Sequence, residues 1–184
     1  MYLLLKNPRS LTVLREELDA NLGDEVVAPY DKVKHLPYLR ACIDEAMRIY
    51  PPTPFNLPRR TPEEGTRIMG EFIAGGTSVG MSAYVAHRDA SIFPEPEKFY
   101  PERWLQLGSK DLQPNFLAFS AGARGCLGRN ISYLEQYMIT ATMVHRYEFT
   151  LPSPGWQQER YEHFNQVPGP LPLRVSKREL REKT

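Results

Sequence analysis

A chain of 184 residues is long enough for one domain with a hydrophobic core. With 23 Lys and Arg against 22 Asp and Glu, the formal net charge is +1, which gives no global reason to expect nucleic acid or an acidic membrane as a partner. The 2 cysteines, Cys42 and Cys126, cannot build a disulfide framework or a paired zinc site, and they favour a reducing compartment.

No run approaches the ~20 apolar residues of a membrane span. The opening Met1-Tyr2-Leu3-Leu4-Leu5-Lys6 is too short for a signal-peptide core or an anchor, so the chain is not expected to be held in a bilayer by its own N-terminus. The 17 prolines form no low-complexity tract. They imply long, ordered connections within an α+β fold that is mainly helical and carries a small sheet. There is no internal repeat.

The first helix opens at Asn7-Pro8, where proline suits the first helical position. Leu11, Leu14 and Leu18 share a face, and Gly23 marks a stop. Residues 24–34 read as a loop or a short extra turn. A second helix begins near Pro37, with Leu39, Cys42, Ile43, Ala46, Met47 and Tyr50 on one face and Glu45 and Arg48 on the other; Pro51-Pro52 ends it. Residues 53–82 are punctuated by Pro and Gly and predict a small antiparallel sheet from Arg67-Ile68-Met69, Glu71-Phe72-Ile73 and Thr77-Ser78-Val79, with Gly70 in a tight turn. Residues 83–89 suggest a short helix.

From Phe93 to Phe119 runs a long Pro-rich stretch whose aromatics argue against disorder. A third helix follows Gly128 and runs to Arg146, with Ile131, Leu134, Met138 and Ala141 as its apolar face. The tail from Leu151 to Pro172 is again Pro- and Gly-rich. Leu171, Leu173 and Val175 alternate as a final strand, and Lys177 to Thr184 are expected to fray.

The segment richest in chemistry is Phe119-Ser120-Ala121-Gly122-Ala123-Arg124-Gly125-Cys126-Leu127-Gly128. Glycines at every third position let backbone approach something flat or bulky, because no Cβ intervenes. Cys126 lies just before a helix, whose positive end favours negative charge on the sulfur. Arg124 adds positive charge. This suits a heme iron held by one thiolate, which pushes electron density onto the metal and favours O–O cleavage.

Three other readings stay open at this level. A phosphate loop lacks the Lys-Ser/Thr that should follow its glycines. A cysteine nucleophile needs a histidine partner, and His35, His87, His145 and His163 carry no local sign of that role. A buried structural cysteine at a glycine-rich helix entrance is the plainest alternative.

The same segment resembles the heme-binding pattern of the cytochrome P-450 superfamily, Phe-x-x-Gly-x-Arg-x-Cys-x-Gly, at every fixed position, and the likeness continues into Arg129 and Glu135. Ser132 departs from the family's usual alanine. Glu45-Ala46-Met47-Arg48 resembles the family's Glu-x-x-Arg helix, and Tyr100-Pro101-Glu102-Arg103-Trp104 its Pro-Glu-Arg-aromatic element, with Trp104 as the aromatic. The resemblance implies heme b with Cys126 as axial thiolate and sole metal ligand. Phe119, Gly122, Arg124 and Gly128 would contact the cofactor. Arg59 would meet a heme propionate, although the adjacent Arg60 makes that choice ambiguous. It further implies a structural network of Glu45, Arg48 and a bidentate Arg103. For Glu45 and Arg48 alone, a solvated helix pair is the plainer reading. His87-Arg88-Asp89 resembles a segment near the same place, with a surface turn as the plainer reading. Cys42 reads as a core residue.

The likeness is to the C-terminal, proximal heme half of the family, in fungal style, and residues 1–184 are expected to be one partial domain. The N-terminal anchor, the long central helix with its oxygen-activating groups, and most of the substrate pocket have no counterpart here. The implied activity is a heme-thiolate monooxygenase of secondary metabolism or detoxification, with a small organic substrate and an NADPH-cytochrome reductase type of electron donor, and no nucleic acid. Full-length members are expected at the endoplasmic reticulum membrane; a chain without the anchor would be cytoplasmic. No catalytic residue is assigned, and no activity is expected from this chain alone. The alternative is a non-catalytic truncated homologue, a remnant or protein-contact module. The segments from Pro54 to Leu57 and from Tyr161 to Val167 are the expected pocket-lining pieces.

Overall fold

The structure is a computed structural model that describes residues 1–106 and 108–180. Six helices are described: α1 (Tyr2–Lys6), α2 (Pro8–Leu22), α3 (Tyr30–Val33), α4 (Pro37–Ile49), α5 (Ala83–Ala86) and α6 (Arg129–Arg146). Eight short strands, β1 (Arg59–Arg60), β2 (Thr66–Ile68), β3 (Glu71–Ile73), β4 (Ser78–Val79), β5 (Tyr147–Thr150), β6 (Arg160–Glu162), β7 (Gln166–Pro168) and β8 (Arg174–Lys177), pair as antiparallel ladders. The α+β reading holds.

Leu14, Leu18 and Leu22 of α2 are buried against α4 and α6, as the periodicity of the first helix requires. The turn of α1 ahead of Pro8 was not expected; the Asn7 side chain donates to Leu3 O at 2.8 Å and joins the two helices. Pro37 is the first residue of α4, and the helix ends at Ile49, just ahead of Pro51-Pro52. Unlike an amphipathic surface helix, α4 is buried on almost every side, Glu45 and Arg48 included. Cys42 lies in its core, as expected, and burial pushes its thiol pKa well up.

The expected single small sheet is instead split. β2 and β3 form a hairpin around Gly70, whose φ of +88° needs a residue without Cβ strain. β4 pairs with β1 rather than with that hairpin. The tail also differs. β6 and β7 form a hairpin that the Pro/Gly-rich reading missed, and Gln166 N donates to Pro52 O at 2.8 Å to dock it. β8 pairs with β5, and Leu171 and Leu173 precede it. The expected fraying from Lys177 is contradicted as far as Arg178, whose guanidinium meets Asp19 Oδ2 at 2.7 Å and donates to His145 O at 2.8 Å. Residues 181–184, part of that expectation, lie outside the described residues.

In α6 the expected apolar face holds at Ala141, which is buried, but not at its N-terminal end. Ile131 and Leu134 are exposed, and the buried side is Tyr133, Tyr137, Ala141, Val144 and His145. The tyrosines win because their hydroxyls find partners. Tyr133 donates to Asp44 Oδ1 at 2.8 Å, and Arg40 donates to the Tyr137 oxygen at 3.3 Å. Among the described residues, no helix is long and apolar enough to cross a membrane.

Candidate functional site

The site is built from α4 outward. Glu45 and Arg48, three residues apart, are both fully buried and paired. Arg48 is bidentate, its Nε donating to Oε2 at 2.9 Å and its Nη2 to Oε1 at 3.0 Å. Arg103 arrives from the 3₁₀ turn Pro101–Trp104 and donates through Nε to Oε1 at 3.0 Å. That corrects the expected bidentate Arg103, whose Nη1 instead donates to Pro94 O at 2.9 Å. Tyr100 N and Trp104 Nε1 each donate to the carboxylate at 2.9 Å. Five donors therefore meet one buried carboxylate, which a solvated pair would not attract.

Arg48 Nη1 also donates to His87 O at 2.8 Å. The plainer reading of His87 as part of a surface turn is contradicted, since its side chain is fully buried. Its ring lies between Phe93 and Phe116, 6.1 Å and 5.5 Å away between centroids. Phe116 in turn packs edge-on against Trp104 at 5.2 Å. The long aromatic stretch is thus ordered around the ion network and leads directly into the cysteine loop.

That loop is shaped by its own backbone. Ser120 N donates to Leu117 O at 2.9 Å, Gly125 N to Gly122 O at 3.1 Å and Cys126 N to Phe119 O at 2.9 Å. Gly122 adopts φ +67°, and a Cβ built there would meet nothing within 4 Å. The loop therefore faces open space. A Cβ at Gly128 would lie 3.9 Å from the Cys126 sulfur. Phe119 packs on Tyr133 of α6, with centroids 5.0 Å apart, and fixes the loop to the helix that follows.

Cys126 is exposed, which rules against a buried structural cysteine. A cavity of about 680 Å³ gathers Cys126, Arg124, Phe119 and Arg59 from the expected site residues. Phe55, Leu57 and Phe164 line it as well, from the two segments expected to do so. Arg59 lines this cavity and Arg60 does not. Gly122 and Gly128 belong to the loop without lining the cavity. No histidine lines it among the described residues, so a Cys–His nucleophile finds no partner there. Local reading missed Ile68, Val79 and Met81 on its wall; Val79 is set opposite Arg59 by the pairing of β4 with β1, which no motif announces. A second, largely apolar cavity of about 400 Å³ is lined by Cys42, Met47 and Tyr50 and contains neither Cys126 nor Arg124.

One exposed thiol, two guanidinium groups and a mostly apolar wall around one cavity fit a planar dianionic macrocycle whose metal takes a single protein ligand. The comparisons agree. The family profile described as cytochrome P-450 matches residues 1–174. A cytochrome P-450 monooxygenase, aneF, from Aspergillus aculeatus is 41% identical over 161 residues, covering 86% of this chain and 32% of the relative. A second, cicH, from Emericella nidulans is 42% identical over 159 residues, covering 83% of this chain and 32% of the relative. Among solved structures, the cytochrome P450DA heme domain superposes with a TM-score of 0.86 at 24% identity, covering 97% of this chain and 39% of that one, a likeness of fold. The chain belongs to the cytochrome P-450 family. It spans about a third of the length of the curated relatives that it matches.

Proposed function

We propose that residues 1–184 form one partial domain, the proximal side of a heme-thiolate monooxygenase. Cys126 would hold the heme iron through its thiolate, and Arg124 and Arg59 would meet the propionates. The observation that carries this reading is the single cavity that holds an exposed Cys126 thiol beside both guanidinium groups. Heme b, when bound, supplies the oxygen chemistry, in which one atom of O2 enters an organic substrate and the other leaves as water.

The chain's own residues bind and orient. Cys126 offers an exposed sulfur at the cavity. Gly122 supplies the positive φ of +67° in the turn that leads to Cys126. Phe119 braces the loop on α6. Arg59 and Arg124 offset carboxylate charge at the rim. Phe55, Leu57 and Phe164 give the cavity apolar walls suited to an organic substrate. Electrons would come from a reductase of the NADPH-cytochrome type. The relatives are fungal monooxygenases, and secondary metabolism or detoxification is the role that belongs to this reading.

The test is spectroscopic. The purified chain is mixed with hemin, reduced and exposed to carbon monoxide. A red-shifted Soret band, as thiolate-ligated heme gives, is expected from wild type and not from Cys126→Ser. A wild-type spectrum without that band overturns the assignment.

A further inference from the structure

The buried imidazole of His87 has no part in the site as described, yet both of its nitrogens are committed. Nε2 lies 2.7 Å from the backbone nitrogen of Leu117. A backbone N–H can only donate, so Nε2 must offer its lone pair. Nδ1 lies 3.0 Å from Arg48 O, and a carbonyl can only accept, so Nδ1 must carry the proton. The two contacts together select one tautomer of the neutral ring.

The two partners belong to different parts of the site. Arg48 is the bidentate partner of Glu45 in the ion network. Leu117 begins the cysteine loop. Its carbonyl accepts from Ser120 N, and the carbonyl of Phe119 accepts from Cys126 N. One short path of hydrogen bonds therefore runs from the network through His87 to the turn that presents Cys126.

We propose that His87 is a positioning residue for the cysteine loop, linking the Glu45–Arg48 network to Leu117 and so fixing where Cys126 is held. For its effect on the ligand, this rests on the heme-thiolate reading above. The link itself does not need heme. Its two ends make separate chemical demands: an acceptor at the position of Nε2, and a donor at the position of Nδ1. Glutamine reaches as far as Nε2 and can keep the acceptor toward Leu117. Asparagine reaches only as far as Nδ1 and can keep the donor toward Arg48. Phenylalanine keeps the ring between Phe93 and Phe116 and loses both.

The experiment uses the whole chain in wild type and in His87→Gln, His87→Asn and His87→Phe. Nitrogen-15 spectra of the wild-type ring should report the Nδ1–H tautomer, and the opposite tautomer would overturn the proposal whatever the variants do. Exchange of the Leu117 amide should stay near wild type in His87→Gln and speed up by at least about tenfold in His87→Asn and His87→Phe, since each leaves that buried donor unpaired. With hemin, reductant and carbon monoxide, the fraction of red-shifted Soret band should fall in the same order. Equal exchange in all four proteins, or rescue by asparagine but not glutamine, would overturn it. The same exchange order with no red-shifted band even in wild type would uphold the link and overturn the heme reading instead. A normal band in His87→Phe despite fast Leu117 exchange would refute the positioning role.

Discussion

The indole Nε1–H of Trp104 donates to Oε2 of Glu45 at 2.9 Å, inside a network with no solvent to replace it. The neighbouring Arg103 reaches the other carboxylate oxygen, so residues 103 and 104 grip Glu45 from the same 3₁₀ turn. An aromatic residue without a ring donor would fill the same space against Phe93 and Phe116 but leave Oε2 one donor short.

Trp104→Phe should therefore cost more than a ring contraction. A hydrogen bond to a buried charged group contributes about 1.5–3 kcal/mol. The midpoint of urea unfolding should fall accordingly, with an unchanged slope. An unaltered midpoint would mean that the indole nitrogen is dispensable and that Trp104 acts by packing alone.

Glu45→Gln should be the more damaging change. It keeps the shape of the side chain and removes the negative charge that Arg48 and Arg103 both meet. Breaking one partner of a buried ion pair costs about 3–5 kcal/mol. Lys98→Gln, at the exposed Lys98–Glu95 pair, should leave the midpoint nearly unchanged and serves as the control.

How far these contacts were legible depends on their chemistry. The helices beginning at Pro8 and Pro37 and following Gly128 were readable because proline and glycine punctuate them. The cysteine loop and the Glu45–Arg48–Arg103 set were readable through resemblance to three ordered motifs. The buried face of α6 was legible only at Ala141. Periodicity weighed Ile131 and Leu134 as apolar, while burial went to Tyr133 and Tyr137, whose hydroxyls meet Asp44 and Arg40 from another helix. The pairing of β4 with β1 was hidden for a similar reason, since two-residue strands carry no alternation to read. His87 is joined to residues 39 and 30 positions away, and no local pattern announces such a link.

The choice between Arg59 and Arg60 gives a cleaner test of the cavity than of stability. Both are exposed, and only Arg59 lines the cavity that holds Cys126. Arg59→Gln should weaken hemin binding by about two- to fivefold, the range of an exposed charge contact. Arg60→Gln should leave it unchanged. Titration of hemin against each variant checks this. Equal weakening in both would point to general electrostatic attraction in place of a specific propionate contact.

The burial of His87 also has a pH signature. Desolvation lowers its pKa from the ordinary 6.5 to about 4, with the nearby Arg48 and Arg88 guanidinium groups acting in the same direction and Glu45 against it. Arg48 O, which accepts from Nδ1, also works against the fall. The folded state therefore resists a proton that the unfolded chain accepts. Its contribution is fully present above about pH 6.5 and is lost as pH falls toward about 4, the folded value. The gap between the two values corresponds to about 3 kcal/mol. Carboxylates titrate in the same range, and Asp19, Asp31 and Asp89, all held below their ordinary values, also withdraw stability on acidification. The difference between wild type and His87→Gln isolates the imidazole. Unfolding midpoints measured from pH 7 to pH 4 should converge as the wild type loses what the variant never had. Parallel curves over that range would show that protonation of His87 does not oppose folding.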